Sequence, residues 1–123
     1  MPKKILIVDD SSTALMMETM ILSSTGYELV TASDGHQAIE KARSESPDLV
    51  LMDVVMPNKS GFEACREIRG DARTSHIPVI LVTTRGEEES VEAGFTSGCN
   101  DYITKPVNAQ ELVLLVKSYL DDK

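Results

Sequence analysis

An α/β fold, a parallel sheet covered by helices on both faces, is what this sequence predicts, and three observations predict it. Short apolar runs alternate with helix-length amphipathic segments through five repeats. Three of the runs, Ile5-Leu6-Ile7-Val8, Leu49-Val50-Leu51-Met52 and Val79-Ile80-Leu81-Val82, are continuously apolar, the pattern of strands buried on both faces. The 123 residues suffice for one domain, and no linker, internal repeat or low-complexity tract divides them, so a single domain over 1–123 is expected.

Taken in order, Ile5 to Val8 is strand one, closed by Asp9-Asp10 ahead of the first helix. At about 100° per residue, Ala14, Met17 and Ile21 form the stripe of helix one expected to face the core. Leu15 with Leu22 falls on one flank and Met16 with Met20 on the other. Strand two, Tyr27 to Thr31, and strand five, Tyr102 to Thr104, are weaker and read as edge strands. Asp34 with Gln37, Ser60 with Glu63 and Asn108 with Glu111 have capping-box spacing and start helices two, three and five. Helix four opens instead on Glu87-Glu88-Glu89, whose charges suit the positive end of a helix dipole. Gly26, Gly70 and Gly98 stand where helices would stop.

Composition narrows the function. With 41% hydrophobic and 26% charged residues the chain is globular, and no apolar run approaches the roughly 20 residues of a membrane span. The four-residue run Ile5 to Val8 is too short for a signal-peptide core, so a cytoplasmic protein is expected. Twelve Lys and Arg against twenty Asp and Glu give a net charge of −8 and a pI near 4.7. That charge opposes direct binding to nucleic acid or an anionic membrane and favours a cation or a basic protein surface. Cys65 and Cys99 form no C-x-x-C and suggest neither zinc nor a disulfide framework, consistent with a reducing compartment.

In an open parallel sheet, ligands bind beyond the carboxyl ends of the strands. Asp9 and Asp10 follow strand one, Asp53 ends strand three, Thr83 and Thr84 follow strand four, and Lys105-Pro106 follows strand five. Crowded carboxylates call for protonation or a hard divalent cation, and Mg²⁺ suits a site that also takes a phosphate oxygen. A lysine and a threonine hydroxyl complete what phosphoryl transfer needs, and a carboxylate can be the nucleophile. Asp53, followed by a loop rather than a helix, is the candidate. Singly, Asp9-Asp10 also fits a helix cap, Asp53 a turn residue, the threonines ordinary strand ends and Lys105 a solvated lysine. The coincidence at four strand ends is what points to chemistry.

Those residues carry a family resemblance. From residue 3 to 120 the chain resembles a two-component response-regulator receiver domain, similar to the single-domain chemotaxis receivers. The matching features are Asp9-Asp10, Asp53 within Leu51-Met52-Asp53-Val54-Val55-Met56-Pro57 with Gly61 beyond, Thr83, Tyr102 and Lys105-Pro106. The resemblance implies a flavodoxin-like doubly wound sheet of order 2-1-3-4-5 with five helices. It implies that Asp53 accepts a phosphoryl group from a histidine kinase or histidine phosphotransfer protein, and that the protein catalyses only its own phosphorylation and dephosphorylation. Asp10, Asp53 and the Val55 carbonyl, with Asp9 through water, would hold Mg²⁺; Thr83 and Lys105 would hold the phosphoryl oxygens. Tyr102 would be a switch aromatic following Thr83, where the alternative is a tyrosine packed along an edge strand. Thr84 is larger than usual at its position, and Val55 and Arg85 stand where members vary.

The Met16/Met20 flank is the candidate docking surface for a kinase or phosphotransfer helix, and the surface around helix four, strand five and helix five the candidate for a downstream protein target. Helix five has few basic residues besides Lys117, so a monomer or weak dimer is expected. Two other readings compete. One is a receiver-like interaction module that works without phosphorylation. The other is a small Mg²⁺-dependent aspartyl-phosphate phosphatase, against which Val55 stands where a second aspartate belongs. Nucleotide binding fails, because no G-x-x-x-x-G-K-[ST] occurs.

Overall fold

The five apolar runs form strands β1 (Lys4–Val8), β2 (Glu28–Ala32), β3 (Leu49–Asp53), β4 (Val79–Thr84) and β5 (Asp101–Lys105) in a computed structural model that describes residues 2–84 and 97–121. Every pairing is parallel, and the order is β2-β1-β3-β4-β5, with the two weaker segments at the edges as expected. Among the described residues the helices are α1 (Ser12–Ser23), α2 (Gly35–Glu45), α3 (Gly61–Gly70) and α4 (Ala109–Leu120), the last being the fifth helix of the sequence reading. The helix expected to open on Glu87-Glu88-Glu89, and Arg85 before it, lie outside the described residues.

Side chains alternate across each strand, so each central strand feeds two cores. Leu6, Val8, Val50, Met52 and Leu81 pack against Ala38 and Ile39 of α2 and Ala64 and Ile68 of α3. On the opposite face, Ile5, Ile7, Leu51, Ile80 and Val82 meet Leu22 of α1 and Leu112 and Val116 of α4. Cys65 and Cys99 are free and buried; burial raises both thiols, Cys99 to about 11, so neither is a thiolate at neutral pH. None of the described helices is long and apolar enough to cross a membrane.

The predicted caps form. Asp34 accepts from the Gln37 N–H, Asn108 accepts from the Glu111 N–H, and Ser60 with Glu63 closes a reciprocal capping box. Helix ends were less legible. Gly26 takes the left-handed φ of +86° after α1, but α2 ends on Ser46 at φ +48°, where the sequence offers no glycine.

One expectation is corrected. Of the expected stripe Ile21 does pack against the core, beside Leu15, Glu18 and Leu22, but Met17 is exposed by 53% and Ala14 is half-buried, and both line a pocket at the edge of that face. Helix one is apolar almost all round, so its periodicity does not select a face. Met16 and Met20 are exposed as expected, by 61% and 68%.

Candidate functional site

Parallel strands end together, and the register fixes which end residues meet. Val8 pairs with Met52, so Asp9, the next residue, comes level with Asp53, which itself pairs with Val82. Lys105 pairs with Thr84 at the same edge. By alternation Asp9, Asp53 and Lys105 continue the face of Ile7, Leu51 and Ile103, toward α1 and α4. Thr83 continues the face of Leu81. Because Leu81 pairs with Tyr102 and Thr83 with Thr104, Thr83 and Tyr102 share that opposite face.

The structure brings four of the expected residues into one cluster. Asp9, Asp10 and Asp53 each offer a carboxylate oxygen within 4.8 Å of the others. Lys105 Nζ lies 3.2 Å from Asp9 Oδ2 and 3.4 Å from Asp53 Oδ1. Asp9 is buried and Asp10 exposed, while Asp53 is 7% exposed. Asp9 also plays the structural part allowed for it: its Oδ1 accepts from the Ser11 N–H at 2.9 Å, and Ser11 then caps α1. Burial, then the charge of Asp9, pushes the Asp53 carboxyl up to about 6 against the pull of Lys105. Burial works against the Lys105 charge too, but Asp53 and Asp9 outweigh it and its pKa stands above the ordinary value.

Three carboxylates with one ammonium leave a charge of −2 at a single point when all are ionised. An all-oxygen donor set with that residual charge fits a hard divalent cation.

Thr83 is 2% exposed, and its Oγ1 has no hydrogen-bond partner among the described residues. Such a hydroxyl costs about 1–3 kcal/mol until an acceptor arrives. Tyr102 on β5 is 37% exposed and Val55, in the loop after β3, is 64% exposed. Met16 and Met20 stand outside the carboxylate cluster, on the exposed side of α1.

Sequence reasoning missed Glu18. It is 3% exposed, its Oε1 lacks a partner among the described residues, and it lines with Lys105, Met17 and Pro106 a pocket of about 230 Å³. Burial, then Asp9, raises its carboxyl to about 7, with Lys105 opposing and Asp53 adding. The only signal was its i, i+3, i+7 spacing between Leu15 and Leu22.

Because the folded value is raised from 4.5, the contribution of Glu18 to stability is fully present below 4.5 and lost as pH rises through about 7. Glu18→Gln is therefore expected to be more stable than wild type by about 2 kcal/mol above that range. The gap should close at acid pH. Paired urea melts of the two proteins at acid and alkaline pH check this, and a pH-independent difference would refute it.

Residues 5–117 match the response regulator receiver domain family. Protein PilH of Pseudomonas aeruginosa is 44% identical, over 95% of this chain and 97% of its own length. The polar-differentiation response regulator DivK of Brucella anthropi is 37% identical over 99% of both. Among solved structures, the receiver domain of the sensor histidine kinase PA1611 from Pseudomonas aeruginosa, with a magnesium ion coordinated in its active site cleft, has a TM-score of 0.91 at 30% identity, covering 99% of this chain and 100% of that one.

Proposed function

The chain belongs to the response regulator receiver domain family, and from that premise we propose that it is a phosphoacceptor switch in a two-component phosphorelay, with Asp53 the residue phosphorylated. The observation that carries the reading is the convergence of Asp9, Asp10, Asp53 and Lys105 at one strand edge, with a buried Thr83 hydroxyl that lacks a partner among the described residues near the end of β4.

In the proposed chemistry a carboxylate oxygen of Asp53 attacks the phosphorus of a phosphohistidine on a kinase or phosphotransfer protein. The P–N bond breaks, its electron pair stays on the imidazole nitrogen, and an acyl phosphate remains on Asp53. Asp10, Asp53 and the Val55 carbonyl, with Asp9 through water, would hold Mg²⁺, which would supply charge neutralisation at the phosphoryl oxygens. Lys105 leaves Asp53 for one of those oxygens as a mobile point charge, and the Thr83 hydroxyl donates to another. Tyr102 shares a sheet face with Thr83, so movement of Thr83 toward the phosphoryl group opens space on the side where that ring stands. The new charge at Asp53 thus biases the surface around β5 and α4 that a downstream protein reads. The switch acts in the cytoplasm as a monomer or weak dimer, and its net charge of −8 favours protein partners over nucleic acid.

Incubation with acetyl phosphate and Mg²⁺ is expected to add one phosphoryl group to the intact mass, and chelation of Mg²⁺ to prevent it. No adduct under conditions that label another receiver would move the reading to phosphorylation-independent binding.

The exposed Met16/Met20 flank is proposed to dock the donor helix. Met16→Glu is expected to slow phosphotransfer from the cognate donor by about tenfold, the effect of roughly 1.4 kcal/mol at an interface. Labelling by acetyl phosphate should be unchanged. Equal phosphotransfer rates for variant and wild type would remove that assignment.

A further inference from the structure

Glu18 poses a question that the fold does not answer. An apolar side chain of similar volume would fill its place on α1 without leaving a buried carboxylate oxygen unpartnered, and buried polar groups that break the rules of packing gather at functional sites. It is also the one buried carboxylate among the described residues with such an oxygen.

Its surroundings suggest what it waits for. Glu18 and Lys105 line the same pocket, between α1 and the residues after β5. The Lys105 ammonium lies 3.2 Å from Asp9 and 3.4 Å from Asp53, longer than the roughly 2.7–2.9 Å of a tight charge-assisted bond, and it divides itself between the two. A divalent cation among Asp9, Asp10 and Asp53 would take over the charge that holds the ammonium and repel it. A lysine on a flexible stem can then turn to another anion on the same side of the sheet.

We propose that Glu18 is a positioning residue that gives the Lys105 ammonium a second seat when a divalent cation occupies the aspartate cluster. This rests on the reading of that cluster as a cation and phosphoryl site. Lys105 would stay paired and beside Asp53 through cation binding, ready to meet the incoming phosphoryl oxygens. The cation, in turn, would bind more tightly because the half-buried ammonium it displaces is not left without a counter-charge.

The test is a double-mutant cycle on Mg²⁺ affinity, measured calorimetrically on the full chain without phosphodonor. Wild type, Glu18→Gln, Lys105→Met and the double variant are compared at about pH 8, above the Glu18 value of about 7. With Lys105 present, Glu18→Gln is expected to weaken Mg²⁺ binding about fivefold; with Met at 105 the same change should cost less than about twofold. Equal losses in both backgrounds would show that Glu18 acts on the cation through its field alone, and would overturn the proposal. No loss in either would overturn it as well. Glu18→Met, which removes the charge at similar volume, repeats the cycle if the glutamine variant does not fold. Because no phosphoryl group is involved, the outcomes separate: a coupled cycle in a protein that gains no phosphoryl mass sinks the phosphoacceptor reading alone. An additive cycle in a protein that is phosphorylated sinks only the second seat.

Discussion

An Asp53→Asn variant is expected to gain no phosphoryl mass under conditions that label the wild-type chain, while remaining folded. The carboxamide keeps the shape of the side chain at the end of β3 but gives up the anionic oxygen that attacks phosphorus, so the loss should be complete. It also removes one of three carboxylates from the cluster, and Mg²⁺ affinity should fall by about tenfold or more, as expected for the loss of an anionic ligand. The fold has reason to survive. Asp53 is held well above its ordinary range by burial and by Asp9, so a neutral side chain there relieves a desolvated charge even as it gives up its contact with Lys105. Intact mass reads the first effect, and a urea melt reads the second. A phosphoryl adduct on the variant would move the acceptor to another residue; a variant that does not fold would show Asp53 to be structural first.

Much of this site was legible because a parallel sheet converts sequence into position with few free choices. An acidic pair directly after one buried strand, an aspartate at the end of another and a lysine after a third must share an edge once the strands are parallel and adjacent. Lys105 thus meets Asp9 across 96 positions of sequence. The capping residues were legible for a local reason, since Ser60 and Glu63 satisfy one another within a single turn. What escaped was decided by tertiary packing. Helix α1 carries apolar residues on every side, so its rotation is set by what β1, β2 and α4 present to it rather than by its own period. The result turns Glu18 inward and Met17 outward, to 53% exposure, against the ordinary preference of both residue types. The end of α2 was illegible for a smaller reason: Ser46 takes a left-handed conformation that its sequence does not announce.

Gly61→Ala is expected to be the most damaging change of a single methyl group among the glycines of the described structure. A Cβ at Gly61 would stand 2.4 Å from the carbonyl oxygen of Asp53, 3.0 Å from Val54 Cα and 3.1 Å from the Asp53 carbonyl carbon. All three are backbone atoms, so no side chain can swing away. Gly61 is buried at the first turn of α3, with its N–H on the Val54 carbonyl at 2.8 Å, and the helix is thereby seated on the end of β3. An added methyl must lift that seat, at a cost of about 3 kcal/mol, the upper end of ordinary overpacking. Since the atoms displaced belong to the candidate acceptor itself, the cation site should loosen with the fold, and phosphorylation by acetyl phosphate should slow by about a hundredfold, the scale of a misplacement near 1 Å. Two other glycines calibrate the result. Gly70 has open space and an ordinary φ, so alanine there should be neutral or stabilising by about 0.5 kcal/mol. Gly26 also has open space but a φ of +86°, so alanine should cost about 1 kcal/mol through backbone strain and leave the phosphorylation rate alone. Urea midpoints and labelling rates for the three variants test the ordering. A Gly61→Ala protein as stable and as readily labelled as wild type would mean that α3 is not seated on the Asp53 carbonyl.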